Sequence, residues 1–309
     1  VNKISSIDQV KWNGKPENIV TISPQMDDIY INRVVKLSLS PEAVKRHADL
    51  KIVYTPIHGT GRGIMPKALH AYGFRNVLKV EAQCVPDGNF PTVVHPNPED
   101  PAAMTLAVEL AEKEGADLIL ATDPDADRIA IGIRNDEGKI LLLNGNQTAA
   151  ILTYYLLRRN KELGRLDGRE FIVKTIVTTE LLAAIARSFD VEYYNVLTGF
   201  KYIAGVIREN EGKKRYIGGG EESYGYLIGD FVRDKDSISA GCMFAEIMAW
   251  AKENGKTVYD LLMDIYKEYG FFYEGLLSMT KYGMEGAAEI KAMMEGYRTD
   301  PPKEINGSA

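Results

Sequence analysis

Short apolar runs alternate along this chain with longer stretches in which apolar residues recur every three or four positions. The runs Leu50–Thr55 (LKIVYT), Asn76–Val80, Ala116–Ala121 (ADLILA) and Arg128–Ile133 predict strands. Between them, Asp27–Lys36, Ile64–Tyr72 and Pro101–Glu114 predict helices, the last two stopped by Gly73 and Gly115. A further short helix is predicted to open with Ser40 as N-cap and Pro41 as its first residue. A second cycle begins near Leu143. It predicts helices over Gln147–Asn160, Glu180–Phe189, Phe200–Asn210, Ile238–Asn254 and Val258–Tyr269, and one more from Tyr282. Its strands are Phe171–Val177, Val191–Val196 and Arg215–Ile217, with Leu163–Arg169 a polar connector. Strands that alternate with helices imply parallel βαβ units. The expected architecture is therefore α/β: two similar three-layer domains with mixed, mainly parallel sheets, over residues 1–142 and 143–296. Residues 297–309 read as a linker or frayed tail.

Length and composition narrow the function classes. The 309 residues, 45% hydrophobic and 26% charged, suit a globular protein of two domains. A net charge of −6 disfavours a nucleic-acid partner. No apolar run approaches the length of a membrane span, and the N-terminal stretch has no signal-peptide core. Two widely separated cysteines, Cys84 and Cys242, give neither a zinc pattern nor a disulfide framework, so a reduced, cytoplasmic setting is expected.

The strongest chemical signal is Asp123-Pro-Asp125-Ala-Asp127-Arg128, directly after a predicted strand. Three carboxylates at alternate positions of a compact loop repel one another, and a divalent cation with hard oxygen ligands neutralises them. A solvated acidic turn with Arg128 as counter-ion is the plainer account. An EF-hand fails here, because its glycine and glutamate positions are Arg128 and Arg134. A haloacid-dehalogenase phosphatase, with Asp123 as phosphoryl nucleophile, also places such a loop after a strand, although that family usually has Thr or Val where Asp127 stands.

The next signal is Gly218-Gly219-Gly220-Glu221-Glu222-Ser223-Tyr224-Gly225. Glycines here permit close backbone approach and unusual dihedrals, and Glu221 with Ser223 offers an acceptor and a hydroxyl for adjacent sugar hydroxyls. The stretch from Tyr54 to Gly63 (YTPIHGTGRG) is a glycine-rich entry to a helix that could hold an anion, but it matches no nucleotide fingerprint. His58 within it reads as structural. In Arg233-Asp234-Lys235-Asp236, Asp236 is expected to cap a helix, and Lys235 could line a cleft as a phosphate ligand. Thr198-Gly199-Phe200-Lys201 is a further strand-to-helix turn open to either role.

Together these segments resemble the α-D-phosphohexomutase superfamily, especially its phosphoglucomutase branch, over roughly residues 48–270. DPDADR is similar to that family's magnesium loop and GGEESYG to its sugar loop, with TPIHGTG, LTGFK and RDKD in the family's order. The resemblance implies Mg²⁺ at Asp123, Asp125 and Asp127, and Arg128 near the transferring phosphoryl group. It implies Glu221 and Ser223 at the sugar C3 and C4 hydroxyls, Thr198 and Gly199 at the substrate, and Lys235 lining the cleft. The expected partners are hexose phosphates (glucose or mannose 1- or 6-phosphate), interconverted through a phosphoserine and a bisphosphate. Ser237 departs from the Gly or Ala that relatives often carry. The family's phosphoserine loop and its phosphate-gripping Arg-x-Ser-Gly-Thr loop have no counterpart here, and no Ser-His pair occurs. With the Val1 start, this reads as a fragment that carries the second and third domains, lacks the first and fourth, and is inactive alone. A non-catalytic phosphosugar-binding module is the remaining alternative.

Overall fold

The computed structural model describes residues 3–275 and 279–304. Its elements are helices α1 (Gln25–Val35) and α2 (Pro41–Arg46), strand β1 (Lys51–Thr55), α3 (Gly61–Tyr72), β2 (Asn76–Lys79), α4 (Thr105–Glu114), β3 (Leu118–Thr122), β4 (Ile129–Arg134) and β5 (Ile140–Leu143). There follow α5 (Gly145–Glu162), β6 (Glu170–Thr175), α6 (Leu181–Ser188), β7 (Glu192–Val196), α7 (Phe200–Glu209), β8 (Arg215–Gly220), β9 (Tyr226–Ile228), α8 (Ser237–Glu253), α9 (Val258–Tyr269) and α10 (Gly283–Thr299).

Two mixed sheets result. The first has the order β2-β1-β3-β4-β5, the second β7-β6-β8-β9. In each, the first three strands run parallel and the hairpin partner that follows is antiparallel. The central strands are almost wholly buried because both faces are covered. Ile52, Tyr54, Leu118 and Leu120 enter one core cluster with Met65 and Leu69 of α3 and Ala245 of α8. Their neighbours Val53, Ile119 and Ala121 turn the other way, to Ala107 and Ala111 of α4. In the second sheet, Ile172 and Ile217 face Leu156 of α5, whereas Phe171, Val173 and Tyr216 face Phe200, Ile203 and Ile207 of α7. Each sheet is thus the middle layer of three, and α8 packs against strands of both sheets.

Several local expectations change. Gly218, Gly219 and Gly220 lie inside β8 rather than in a turn, and none has positive φ. They are required by space: a Cβ on Gly219 would sit 1.9 Å from the Val173 carbonyl oxygen. The predicted strand to Val177 stops at Thr175, because Ile176 and Val177 lie in an exposed loop. Strands β5 and β9 were not anticipated by the pattern. Pro41 does open α2, but the Ser40 hydroxyl makes no cap bond and instead pairs with the Tyr155 hydroxyl at 2.8 Å. The packing separates Val1–Phe272 from a second unit, Tyr273–Ala309. The latter is built on α10, which runs through Thr299, so the first residues expected to be linker are helical; 305–309 lie outside the described residues. Among the described residues, no helix is long and apolar enough to cross a membrane.

Candidate functional site

The three aspartates occupy the six-residue connection between β3 and β4. Asp123 leaves the end of a fully buried strand and is itself 8% exposed. Its Oδ1 accepts from the Asp127 and Arg128 amides, both at 3.0 Å, and its carbonyl from the Ala126 amide at 3.0 Å. This wraps the loop around one carboxylate and requires Ala126 to adopt φ +61°. One carboxylate oxygen from each of Asp123, Asp125 and Asp127 falls within 4.8 Å of the others, so the group could hold a metal ion. Burial, opposed by the Arg128 amide and reinforced by the charges of Asp127 and Asp125, pushes the Asp123 carboxyl from its ordinary 3.8 up to about 7.

Two elements brace this loop, the entry to α3 and the start of α8. The Thr60 amide donates to the Pro124 carbonyl at 2.8 Å, and a Cβ on Gly59 would lie 2.3 Å from Pro124 Cα. The glycine-rich entry to α3 is therefore a seat for the aspartate loop. His58 is structural as expected: its ring nitrogens lie 2.7 Å from the Val85 carbonyl and 2.8 Å from the Thr92 hydroxyl. From α8, the Ser237 hydroxyl donates to the Ala126 carbonyl at 2.6 Å, which gives the departing residue a definite partner. Asp236 caps the same helix, accepting from Ile238 N, and also accepts from the Tyr30 hydroxyl at 2.6 Å.

The Glu221–Gly225 stretch occupies the equivalent hairpin of the second sheet, between β8 and β9. The two hairpins touch. Arg128 and Gly225 form an antiparallel bridge, and the Ile129 amide donates to the Tyr224 carbonyl at 3.0 Å. Lys235 closes the same corner: its Nζ is 2.8 Å from Asp127 Oδ2, and its stem crosses Gly225, where a Cβ would be 2.3 Å away. Burial works against the Lys235 charge, but the Asp127 carboxylate carries its pKa above the usual lysine value. Arg128 Nη1 binds Glu99 at 2.8 Å, while its Nε lies 3.8 Å from Asp127 and 3.9 Å from Asp123.

Glu221 is buried, and its Oε1 accepts from the Gly199 amide at 2.8 Å, joining two segments singled out independently in the sequence. Gly199 has φ +120°, which favours glycine at this entry to α7. Thr198 is exposed and Ser223 half-buried, and among the described residues no hydrogen bond ties either to the aspartate loop. The loop's other side rests on the start of α5, where a Cβ on Gly145 would be 1.8 Å from the Glu222 carbonyl oxygen.

Sequence reasoning missed three participants. Glu99, the partner of Arg128, lies in an irregular stretch without periodicity. Glu222 accepts from Thr178 at 3.0 Å and Thr175 at 3.2 Å. Lys174 is fully buried, with Nζ 2.9 Å from the Thr178 carbonyl and 2.8 Å from Glu180. A lysine inside the apolar run FIVKT was the available signal for it.

Known proteins share this chain's sequence pattern and fold. The model of phosphoglucomutase/phosphomannomutase alpha/beta/alpha domain II matches residues 28–138, and that of domain III matches residues 144–269. The phosphoglucomutase of Staphylococcus aureus (strain USA300) is 42% identical over 260 residues, which cover 84% of this chain and 46% of that protein. The chain thus spans about half the length of the curated relatives it matches. Among solved structures, a phosphoglucomutase/phosphomannomutase family protein from Burkholderia thailandensis aligns with a TM-score of 0.60 at 20% identity, covering 78% of this chain and 46% of its own. The pp63/parafusin phosphoglucomutase of Paramecium, in an open form, gives 0.61 at 19%, covering 91% and 47%. Two adjoining domain matches, a close curated relative and a shared fold lead to one conclusion: the chain belongs to the phosphoglucomutase/phosphomannomutase family, of which it carries domains II and III.

Proposed function

We propose that this chain supplies the cation site and the sugar-recognition loop of a mutase that interconverts hexose 1-phosphate and hexose 6-phosphate, with glucose or mannose as the sugar. The observation that carries this reading is the junction of the two hairpins, where the Arg128–Gly225 bridge and the Lys235–Asp127 pair put carboxylates, cations and the Glu221 loop in one corner.

Asp123, Asp125 and Asp127 would hold Mg²⁺. The donor set fits: three hard carboxylate oxygens converge, and their mutual repulsion contributes to the raised pKa of Asp123. When bound, the ion supplies positive charge against the oxygens of a transferring phosphoryl group. Arg128, steadied by Glu99, presents a guanidinium to the same charge, and Lys235 can leave Asp127 for a phosphate oxygen. Glu221 spends Oε1 on Gly199 and keeps Oε2 for a ring hydroxyl, with the Ser223 hydroxyl beside it for the next. Thr198 and Gly199 would border the bound sugar. A grip on mid-ring hydroxyls leaves both phosphate ends free, so the sugar can be held in two opposite orientations. Free Cys84 and Cys242 suit a cytoplasmic setting, and neither nucleic acid nor membrane is a proposed partner.

The test uses the 309-residue chain. Calorimetric titration should show Mg²⁺ binding that Asp125→Ala abolishes, while the chain, having no Ser-His loop, should convert no glucose 1-phosphate. Identical isotherms for both proteins would overturn the cation site. Phosphatase turnover with beryllofluoride trapping at Asp123 would replace the mutase reading with a phosphatase.

A further inference from the structure

We infer that Ser237 is a positioning residue for the cation site, a reading that rests on the proposed function. Its hydroxyl fixes the Ala126 peptide and thereby sets the directions of the Asp125 and Asp127 carboxylates on either side of it.

The aspartate loop is bonded inward almost throughout: the amides of Ala126, Asp127 and Arg128 all end on Asp123. The Ala126 carbonyl points out of this wrap and is taken by Ser237 Oγ at 2.6 Å. Ala126 holds φ +61° without being glycine, so its peptide needs an external hold to stay in that conformation. Ser237 can provide one. It is fully buried, it is the first residue of the 17-residue helix α8, and that helix start is pinned by Asp236, which accepts from Tyr30 and Ile238. A serine in a first helical turn more often bonds its own backbone. Ser239 does this, donating to the Asp236 carbonyl at 3.2 Å, so one helix turn contains a hydroxyl spent locally and another spent across 111 positions on the cation loop. Partners that orient metal ligands govern affinity without touching the ion.

The experiment compares the 309-residue chain with Ser237→Ala and Ser239→Ala by calorimetric titration with Mn²⁺, alongside hydrogen exchange of the metal-free proteins. Ser237→Ala should weaken Mn²⁺ binding about 10-fold and speed exchange at the Asp127 and Arg128 amides. Ser239→Ala should change neither, even if it lowers the melting temperature equally. Ser237→Gly removes the hydroxyl with less bulk and serves if the alanine variant does not fold. Equal affinity in wild type and Ser237→Ala, or equal weakening by Ser239→Ala, overturns the inference. Should the wild type take up no Mn²⁺, the cation site itself has failed; the exchange measurement then decides separately, and unchanged protection at Asp127 and Arg128 overturns the positioning role.

Discussion

Replacing Asp123 by Asn in the metal-free chain should stabilise it, although the change removes a proposed cation ligand. The amide keeps an oxygen for the two backbone donors at 3.0 Å, so the loop's inward bonds survive. What it removes is the cost of ionising a buried carboxyl beside Asp125 and Asp127. Folding raises this carboxyl from 3.8 to about 7. The folded state therefore binds the proton more tightly than the unfolded chain does. Its contribution to stability is complete below the ordinary carboxylate value and is lost as pH rises through 7. A rise of about three units corresponds to about 4 kcal/mol. If loop relaxation and water entry halve that figure, about 2 kcal/mol remains, or about 3 °C in Tm for a chain of this size. Thermal melts in chelator across pH 4 to 8 measure it. The two proteins should melt together near pH 4 and diverge above it, with Asp123→Asn the higher. Added Mg²⁺ should then raise the wild type only. A variant that melts lower at pH 8, or a gap that does not vary with pH, would refute the electrostatic account of this loop.

Two further outcomes follow from the braces. Gly59→Ala places a Cβ 2.3 Å from Pro124 Cα, a backbone atom with no room to yield, so it should cost about 1–3 kcal/mol in chemical denaturation and weaken Mn²⁺ binding measured by titration. Glu246→Ala acts far from the loop. This fully buried carboxylate accepts from the Leu39 amide at 2.7 Å, the Ser40 amide at 3.1 Å, the Tyr155 hydroxyl at 2.8 Å and the Ser38 hydroxyl. Stranding these donors should cost at least about 3 kcal/mol in urea unfolding, and a loss below about 1 kcal/mol would show that water replaces it.

The layers were legible because burial on two faces writes itself as apolar runs, as in Leu118–Thr122, and burial on one face as helical spacing, as in α7. Strand direction was less so, yet the six residues between Thr122 and Ile129 are too few for a parallel crossover and demand a hairpin. Strand β5 hid because Ile140–Leu143 abuts the next helix, and β9 because its three residues follow a glycine run that looks like a turn. The aspartates announced themselves by local like-charge crowding. Their supports were less legible: Gly59 and Ser237 fall in segments the sequence singled out, but their contacts with the loop span long sequence separations, and Glu99 lies in a stretch without pattern.

The strand orders β2-β1-β3-β4 and β7-β6-β8-β9 repeat one another in order and direction, and the aspartate loop and the Glu221–Gly225 loop occupy the same hairpin of each sheet. The same framework is thus built twice in one chain. One loop position, used twice, presents three aspartates in the first sheet and Glu221, Glu222 and Ser223 in the second. The Arg128–Gly225 bridge joins the two hairpins. Each loop hangs from its own three-layer framework, so the two carry different side chains on the same arrangement of strands.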